Sequence, residues 1–419
     1  MKSTKISDEH AAANFDVIVI GAGAAGMLSA AVAAQRGKSV LLLERNDRPG
    51  KKLRITGKGR CNLTNDCDIS EVLANIPTGG RFLQSVLHAF GPRDVMEFFE
   101  SLGVPLKTER GGRVFPCSDK ASDIVDALVR HMDKSGVTLR RGRAQRVVTE
   151  DGKATGVVTQ GEVINCGAVI LATGGVSYPA TGSTGDGYKI AAQLGHTITP
   201  QKGSLVPLEA QQEMCSRMQG LALKNVRLSV YDGGKKPIFT DFGELLFTHF
   251  GISGPLTLSA SAHMRDFGGK KYHVFIDLKP ALDDKKLDLR ILRDFEKYSN
   301  RDFANALGDL LNRLMIPVFI EQSGIAPHTK VHSISREQRL ELVRLFKAFR
   351  IDIDRPRPVD EAIITSGGVD LREINPKTME SKLVPGLYFA GEIIDADAYT
   401  GGFNLQIAWS TARAAGSYV

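Results

Sequence analysis

Hydrophobic and polar positions divide the chain into stretches of different period. Phe15-Asp-Val-Ile-Val-Ile20 is an almost unbroken apolar run of strand length, residues 24–35 are mostly Ala, Val, Leu and Met, and Ser39-Val-Leu-Leu-Leu-Glu44 is a second apolar run. Strands without alternation are buried on both faces, as in parallel sheets, so a strand-helix-strand unit is expected at once, with Gly37 stopping the helix. Residues 1–13 are polar and Ala-rich and are expected to be disordered. Spacing of 3.6 predicts amphipathic helices over 92–102 (Val95, Phe98, Phe99, Leu102) and 122–134 (Ile124, Val125, Leu128, Val129). Between 137 and 172, short β-rich runs broken by Asp-Gly and Gln-Gly predict a strand, a meander over 145–165 and a return strand over 168–172.

The pattern then changes. Residues 196–280 hold short strands (226–231, 274–278) and Gly-rich turns, which predicts a small β-barrel or sandwich, while 283–350 is charged and helical. Leu387-Tyr-Phe-Ala390 returns to the opening style and precedes a Gly-rich turn and a helix over 405–415. The expected organisation is α/β, with 1–195 and 351–419 forming one discontinuous domain. Residues 196–280 form an inserted β-barrel-like domain, and 281–350 the helical part of the insertion.

Composition narrows the chemistry. A chain of 419 residues with 42% hydrophobic residues has the apolar surface for more than one core. Its five cysteines are scattered without a CxxC pair, which points away from zinc and disulfides and toward a reducing cytoplasm. Residues 17–35 carry no charge, yet Gly21, Gly23 and Gly26 interrupt them too closely for a membrane span or signal peptide. A net charge of +7 permits phosphate or nucleic-acid partners without requiring either.

Gly21-Ala22-Gly23-Ala24-Ala25-Gly26 is a G-x-G-x-x-G between a predicted strand and helix, with Glu44 ending the next strand. The first glycine makes the turn, the second admits a pyrophosphate, the third lets helix and strand pack, and the acid accepts ribose hydroxyls. The fingerprint alone does not separate FAD from NAD. Val169-Ile-Leu-Ala-Thr-Gly174 is a buried strand ending in a small-residue turn, and Pro385-Gly-Leu-Tyr-Phe-Ala-Gly-Glu392 repeats the design with an acid at the end. Thr400-Gly-Gly-Phe-Asn-Leu-Gln406 opens the final helix, whose free amides suit the anionic side of a reduced flavin. The alternative there is a Gly-rich loop capped by Asn404. Residues 51–62 place Lys51, Lys52, Arg54, Lys58 and Arg60 in a Gly-punctuated loop that reads as an anion cradle or as a solvated basic surface. Cys61 reads as a buried structural thiol more than a reacting one.

The strings Pro49-Gly-Lys-Lys-Leu-Arg-Ile-Thr-Gly-Lys-Gly-Arg-Cys-Asn-Leu-Thr-Asn65, Leu245-Leu-Phe-Thr-His-Phe-Gly-Ile-Ser-Gly-Pro255, Thr365-Ser-Gly-Gly-Val369 and Lys377-Thr-Met-Glu-Ser381 carry a resemblance. With them the chain resembles, nearly end to end, the bacterial BaiN/YhiN-like flavoproteins, also called aminoacetone-oxidase-like. The resemblance implies an FAD-binding Rossmann-like domain of the glutathione-reductase type, built from both chain ends around a β-barrel insertion. It implies that FAD is surrounded by Gly21, Ala22, Gly23, Ala24, Ala25, Gly26, Glu44, Arg45, Lys52, Leu53, Gly59, Arg60, Cys61, Asn62, the backbone at Gln145, Ala172, Thr173, Gly174, Gly391, Glu392, Gly402, Phe403, Asn404 and Leu405. Related folds place Asp where this chain has the longer Glu392. His249 is the candidate proton donor, with a structural loop histidine as the alternative.

The implied activity is hydride exchange between flavin and a small organic molecule. Reduction of an enone-like C=C bond with NAD(P)H and oxidation of a small amine with O₂ both stay open. One dinucleotide fingerprint argues against a second, dedicated NAD(P)H domain. A flavin-bearing nucleic-acid binder is the rival reading, because Arg140, Arg141, Arg143 and Arg146 form a basic cluster. That cluster has no interleaved aromatic for base stacking, which counts against it.

Overall fold

The computed structural model describes residues 14–419, so the expectation for 1–13 lies outside the described residues. Strand β1 (Phe15–Ile20), helix α1 (Ala24–Gln35) and strand β2 (Val40–Glu44) form where the pattern places them. β1 and β2 pair in parallel, Val17 opposite Val40 and Ile20 opposite Leu43. Residues 51–55, expected as loop, instead form the short helix α2 (Lys51–Ile55), turned in by Gly50 at φ 71° and anchored by buried Leu53. Helices α3 (Pro92–Ser101) and α4 (Ala121–Lys134) bury Val95 and Phe99, and Ile124, Val125 and Leu128. Strands β3 (Thr138–Arg141), β4 (Ala144–Glu150), β5 (Lys153–Thr159) and β6 (Glu162–Leu171) follow. The meander strand and the return strand are one element: β6 pairs antiparallel with β5 through its first part and parallel with β1 through its second. Helix α5 (Asp186–Gln193) closes this stretch.

Six strands then form a closed barrel. They are β7 (Leu208–Ala210), β8 (Ala222–Tyr231), β9 (Phe239–Thr248), β10 (Gly251–Ser253), β11 (Tyr272–Asp277) and β12 (Phe349–Pro356), in the order β7-β10-β9-β8-β11-β12. Helices α6 (Asp284–Lys297), α7 (Ile316–Ser323) and α8 (Arg336–Lys347) lie between β11 and β12 in the chain. Their Leu287, Phe319 and Phe346 join Val274 and Ile351 of the barrel in one apolar cluster. The chain therefore divides into a unit that runs through Lys202 and resumes at Ile363–Val419, and a second unit, Gly203–Ala362. Both boundaries differ from those expected at 195 and 351. The reason is Phe349-Arg-Ile-Asp-Ile-Asp354, whose period of two makes it the strand that closes the barrel, so the helical segment is part of the same body.

Strand β13 (Leu387–Phe389) pairs in parallel with β6, and helix α9 (Phe403–Tyr418) ends the described chain. The sheet of the first unit runs β3-β2-β1-β6-β5-β4, with β13 on the other edge of the second half of β6. Helix α9 lies close along α1: a Cβ on Gly416 would sit 2.5 Å from the Ser29 carbonyl oxygen. Trp409 is fully buried and its Nε1 donates to the Leu63 carbonyl at 2.9 Å. The carboxyl ends of β1, β2, β6 and β13 share one end of the sheet, where open α/β sheets hold ligands. Among the described residues no helix is long and apolar enough to cross a membrane, and no group of His, Cys, Asp and Glu is placed to hold a metal ion.

Candidate functional site

The three glycines of the first turn divide their work by geometry. A Cβ on Gly21, which has φ +101°, would lie 2.6 Å from the Ala172 carbonyl oxygen, and one on Gly26 would lie 1.8 Å from the Gly21 carbonyl oxygen. Those two positions hold β1, α1 and the end of β6 together. A Cβ on Gly23 would meet nothing within 4 Å, and Gly23 caps α1 without any side-chain hydrogen bond. Open space and unpaired helix amides thus coincide at the glycine expected to admit a pyrophosphate. Glu44 is nearly buried; its Oε2 accepts from the Ala22 amide at 2.7 Å and its Oε1 from the Asn46 amide at 2.8 Å. The carboxylate shapes the turn, and its remaining lone pairs are free to take ribose hydroxyls.

Lys52 and Glu392, expected separately beside the flavin, meet each other. Lys52 Nζ lies 2.7 Å from both Ser177 Oγ and Glu392 Oε2, while Glu392 Oε1 accepts from the Thr365 amide at 2.9 Å and from Ser177 Oγ at 3.1 Å. The longer side chain, where related folds carry Asp, reaches the Thr365 strand as well as the lysine. One ion pair thereby ties α2, the turn after β6, the segment at 365 and the end of β13. Ser177 and Thr365 were absent from the expected site; the string at 365 was visible in sequence, and its partners were not.

Other expected residues are engaged differently. Arg60 is not free to cradle an anion: it pairs with Glu109 and Asp119, which hold its guanidinium more firmly protonated, and it stacks on Phe115 at 4.1 Å. Arg45 pairs with Asp186 at 3.1 Å, a carboxylate it shares with Arg143. Cys61 is fully buried, and burial pushes its thiol up to about 12, far from a reactive thiolate. Leu53 and Phe403 bury their side chains in the core, leaving only backbone for a ligand. Gln145 is exposed and sits at a register shift between β4 and β5, so its backbone is outside the ladder.

Helix α9 begins at Gly402, φ +100°, with no side-chain cap. Asn404 is not the cap; its Oδ1 accepts from the Ala398 amide at 2.9 Å and its Nδ2 donates to the Ala398 carbonyl at 2.7 Å, which fixes the preceding loop. The amides of Phe403 and Leu405 stay at the open helix start, beside Thr64. His249 belongs to the barrel unit, exposed on the turn between β9 and β10, where its ring meets Phe250 edge-on at 5.1 Å.

The residues of the first unit fit FAD. Besides the open space at Gly23, Asn62 Oδ1 and Thr173 Oγ1 are buried polar atoms with no partner among the described residues, both in segments expected to touch the cofactor. The family description "HI0933-like protein Rossmann domain" matches residues 15–418. The chain belongs to this family. Its membership bears out the flavoprotein resemblance, and the HI0933-like chain is an FAD-dependent oxidoreductase. It is similar to the ribosomal RNA dihydrouridine synthase of Escherichia coli (strain K12), 34% identical over 400 residues and 96% of each chain. It is also similar to the 3-dehydro-bile acid delta(4,6)-reductase of Clostridium scindens, 31% identical over 403 residues, covering 95% of this chain and 97% of that one. Among solved structures, 3-ketosteroid delta1-dehydrogenase from Sterolibacterium denitrificans shares the fold, with TM-score 0.52, 14% identity and coverage of 96% and 98%.

Proposed function

We propose that this protein is a reductase of a C=C bond conjugated to a carbonyl, and that its substrate is uridine in RNA. One observation carries the reading: two relatives aligned over nearly the whole chain are named for different substrates but for the same bond chemistry. Dihydrouridine is uridine with the C5=C6 bond saturated, and a delta(4,6)-reductase saturates a conjugated steroid. Bound at this site and reduced by NAD(P)H, FAD would supply the hydride for the carbon β to the carbonyl, while the α carbon would take a proton. The chain's part is to hold the cofactor through the Gly21–Gly26 turn and Glu44, and to set open helix amides at the start of α9. Uridine is favoured over a steroid by the net charge of +7, which suits a polyanion. Five unpaired cysteines suit a reducing compartment, and we place the protein in the cytoplasm.

The test is anaerobic incubation of FAD-loaded protein with NADPH or NADH and either bacterial ribosomal RNA or a 3-keto steroid diene, with products read by mass spectrometry. RNA nucleosides heavier by two hydrogens at uridine are the expected result. Steroid reduction without dihydrouridine would move the substrate to the second relative's class, and turnover of small amines with O₂ alone would overturn the reductase reading. In the same assay His249→Ala tests the proposed proton donor: turnover falls about 10²-fold with FAD retained, and unchanged turnover would make His249 structural.

A further inference from the structure

The barrel unit has a sheet face that flavin chemistry leaves unexplained. On neighbouring strands β9, β8, β11 and β12, Phe242 lies opposite Arg227, Thr240 opposite Ser229, Ser229 opposite Phe275, Tyr231 opposite His273 and Phe275 opposite Arg350. Residues in register share a face, and their neighbours Val226, Leu228, Val230, Val274 and Ile276 are buried in the barrel core, so this set faces outward. Thr240 Oγ1 donates to Ser229 Oγ at 3.0 Å across that outer face. Tyr231 and Phe275 are half-buried and meet edge to face at 5.4 Å, and Phe242 is 41% exposed. Three rings from three neighbouring strands therefore share one solvent-facing side.

The charges around them are unbalanced. Asp277 is occupied by Lys347 and Asp352 by Arg350 and His273, and Asp232 in the turn after Tyr231 is held by Lys270, which leaves Asp241 and Glu244 beside Phe242 as the exposed carboxylates against four exposed cations. Arg227, Lys235, Lys236 and Lys271 are exposed and make no ion pair among the described residues. Arg227 lies beside Phe242, and the three lysines lie in the turns at the Tyr231 end.

We propose that this face docks single-stranded RNA, with bases stacking on Tyr231, Phe275 and Phe242 and phosphates meeting Arg227, Lys235, Lys236 and Lys271. Sheets that present rings bordered by cations bind unpaired nucleotides in this way, because each base has a face to stack and each linkage a charge to neutralise. Rings interleaved with unpaired cations, in place of a continuous apolar patch, fit a polyanion with flat bases better than a protein partner. The proposal rests on the uridine reading above and adds where the RNA is held.

Fluorescence anisotropy of a fluorescein-labelled single-stranded oligouridylate on the FAD-loaded full chain tests it. Tyr231→Ala and Phe242→Ala should each weaken binding roughly tenfold, Tyr231→Phe should bind as the wild type, and duplex RNA should bind more weakly. Joint Lys235→Gln and Lys236→Gln should flatten the salt dependence by about two charges' worth. Flavin absorbance and the melting temperature, unchanged in every variant, verify the fold. If the wild type binds RNA and the variants bind equally well, or if duplex binds as well as single strand, this face is not the docking surface while the uridine reading stands. If the wild type neither binds RNA nor forms dihydrouridine, the uridine reading fails and takes the surface with it.

Discussion

Neighbouring glycines of the first turn differ in what a side chain would meet. An alanine at Gly26 puts its Cβ 1.8 Å from a backbone oxygen that cannot retreat, whereas an alanine at Gly23, φ −82°, fits the protein and enters only the space left for a ligand. Gly26→Ala should cost about 4 kcal/mol or more and yield little folded protein. Gly23→Ala should keep stability within about 1 kcal/mol while FAD affinity drops at least about tenfold. Melting curves of the apoprotein and FAD retention after dialysis read the two effects apart, and parallel losses in both variants would show that Gly23 is structural too. The packing roles of Gly21 and Gly26 were legible in sequence because the motif's spacing already encodes them. What Glu392 and Arg60 touch was not legible, since Lys52, Thr365, Glu109 and Asp119 reach them from other segments of the chain.

Elements formed where their own pattern was sufficient. β1, α1 and β2 are long enough and uniform enough in polarity that local sequence decided them. α2 escaped because five residues without a capping side chain carry no periodicity, and β12 escaped because it directly follows the charged helix α8, whose composition masked its alternation. The start of α9 was placed two residues late, because a glycine in the left-handed region, not the side chain of Asn404, begins it. Gly402→Ala tests that start: its Cβ would lie 2.3 Å from the Thr64 carbonyl oxygen in a conformation that already costs about 1–3 kcal/mol. The expected outcome is a lower melting temperature and a weaker hold on FAD, and an FAD affinity equal to the wild type would detach the α9 start from the cofactor site.

At the scale of the whole molecule, part of the stability lost in acid belongs to a buried histidine. His196 packs edge-on against Phe389, its Nδ1 3.0 Å from Glu373 Oε2 and its Nε2 2.9 Å from Ser381 Oγ. Ser381 Oγ already accepts from the Leu383 and Val384 amides, so its proton goes to Nε2 and the ring is neutral, donating through Nδ1. Burial pushes His196 below its usual 6.5, and the Glu373 carboxylate offsets only part of that. The unfolded chain then takes up the proton first, so this contribution is complete above about pH 6.5 and is lost as pH falls below it. Urea melts from pH 7.5 to 5 should show that decline, and His196→Gln should make it shallower, with His131 and His263, which burial shifts the same way, supplying the rest; an unchanged slope would place the proton uptake elsewhere.

The packing of α9 along α1 also sets an order of events during synthesis. The ligand-facing turn is among the first parts of the described chain to leave the ribosome, yet the helix that covers α1 begins about 370 residues later. At ~5–20 residues per second that interval is roughly 20 to 70 s, during which the barrel unit can complete its own core. The covering of α1 is then a late event, and a nascent chain released early leaves an Ala-rich α1 without the helix that packs on it.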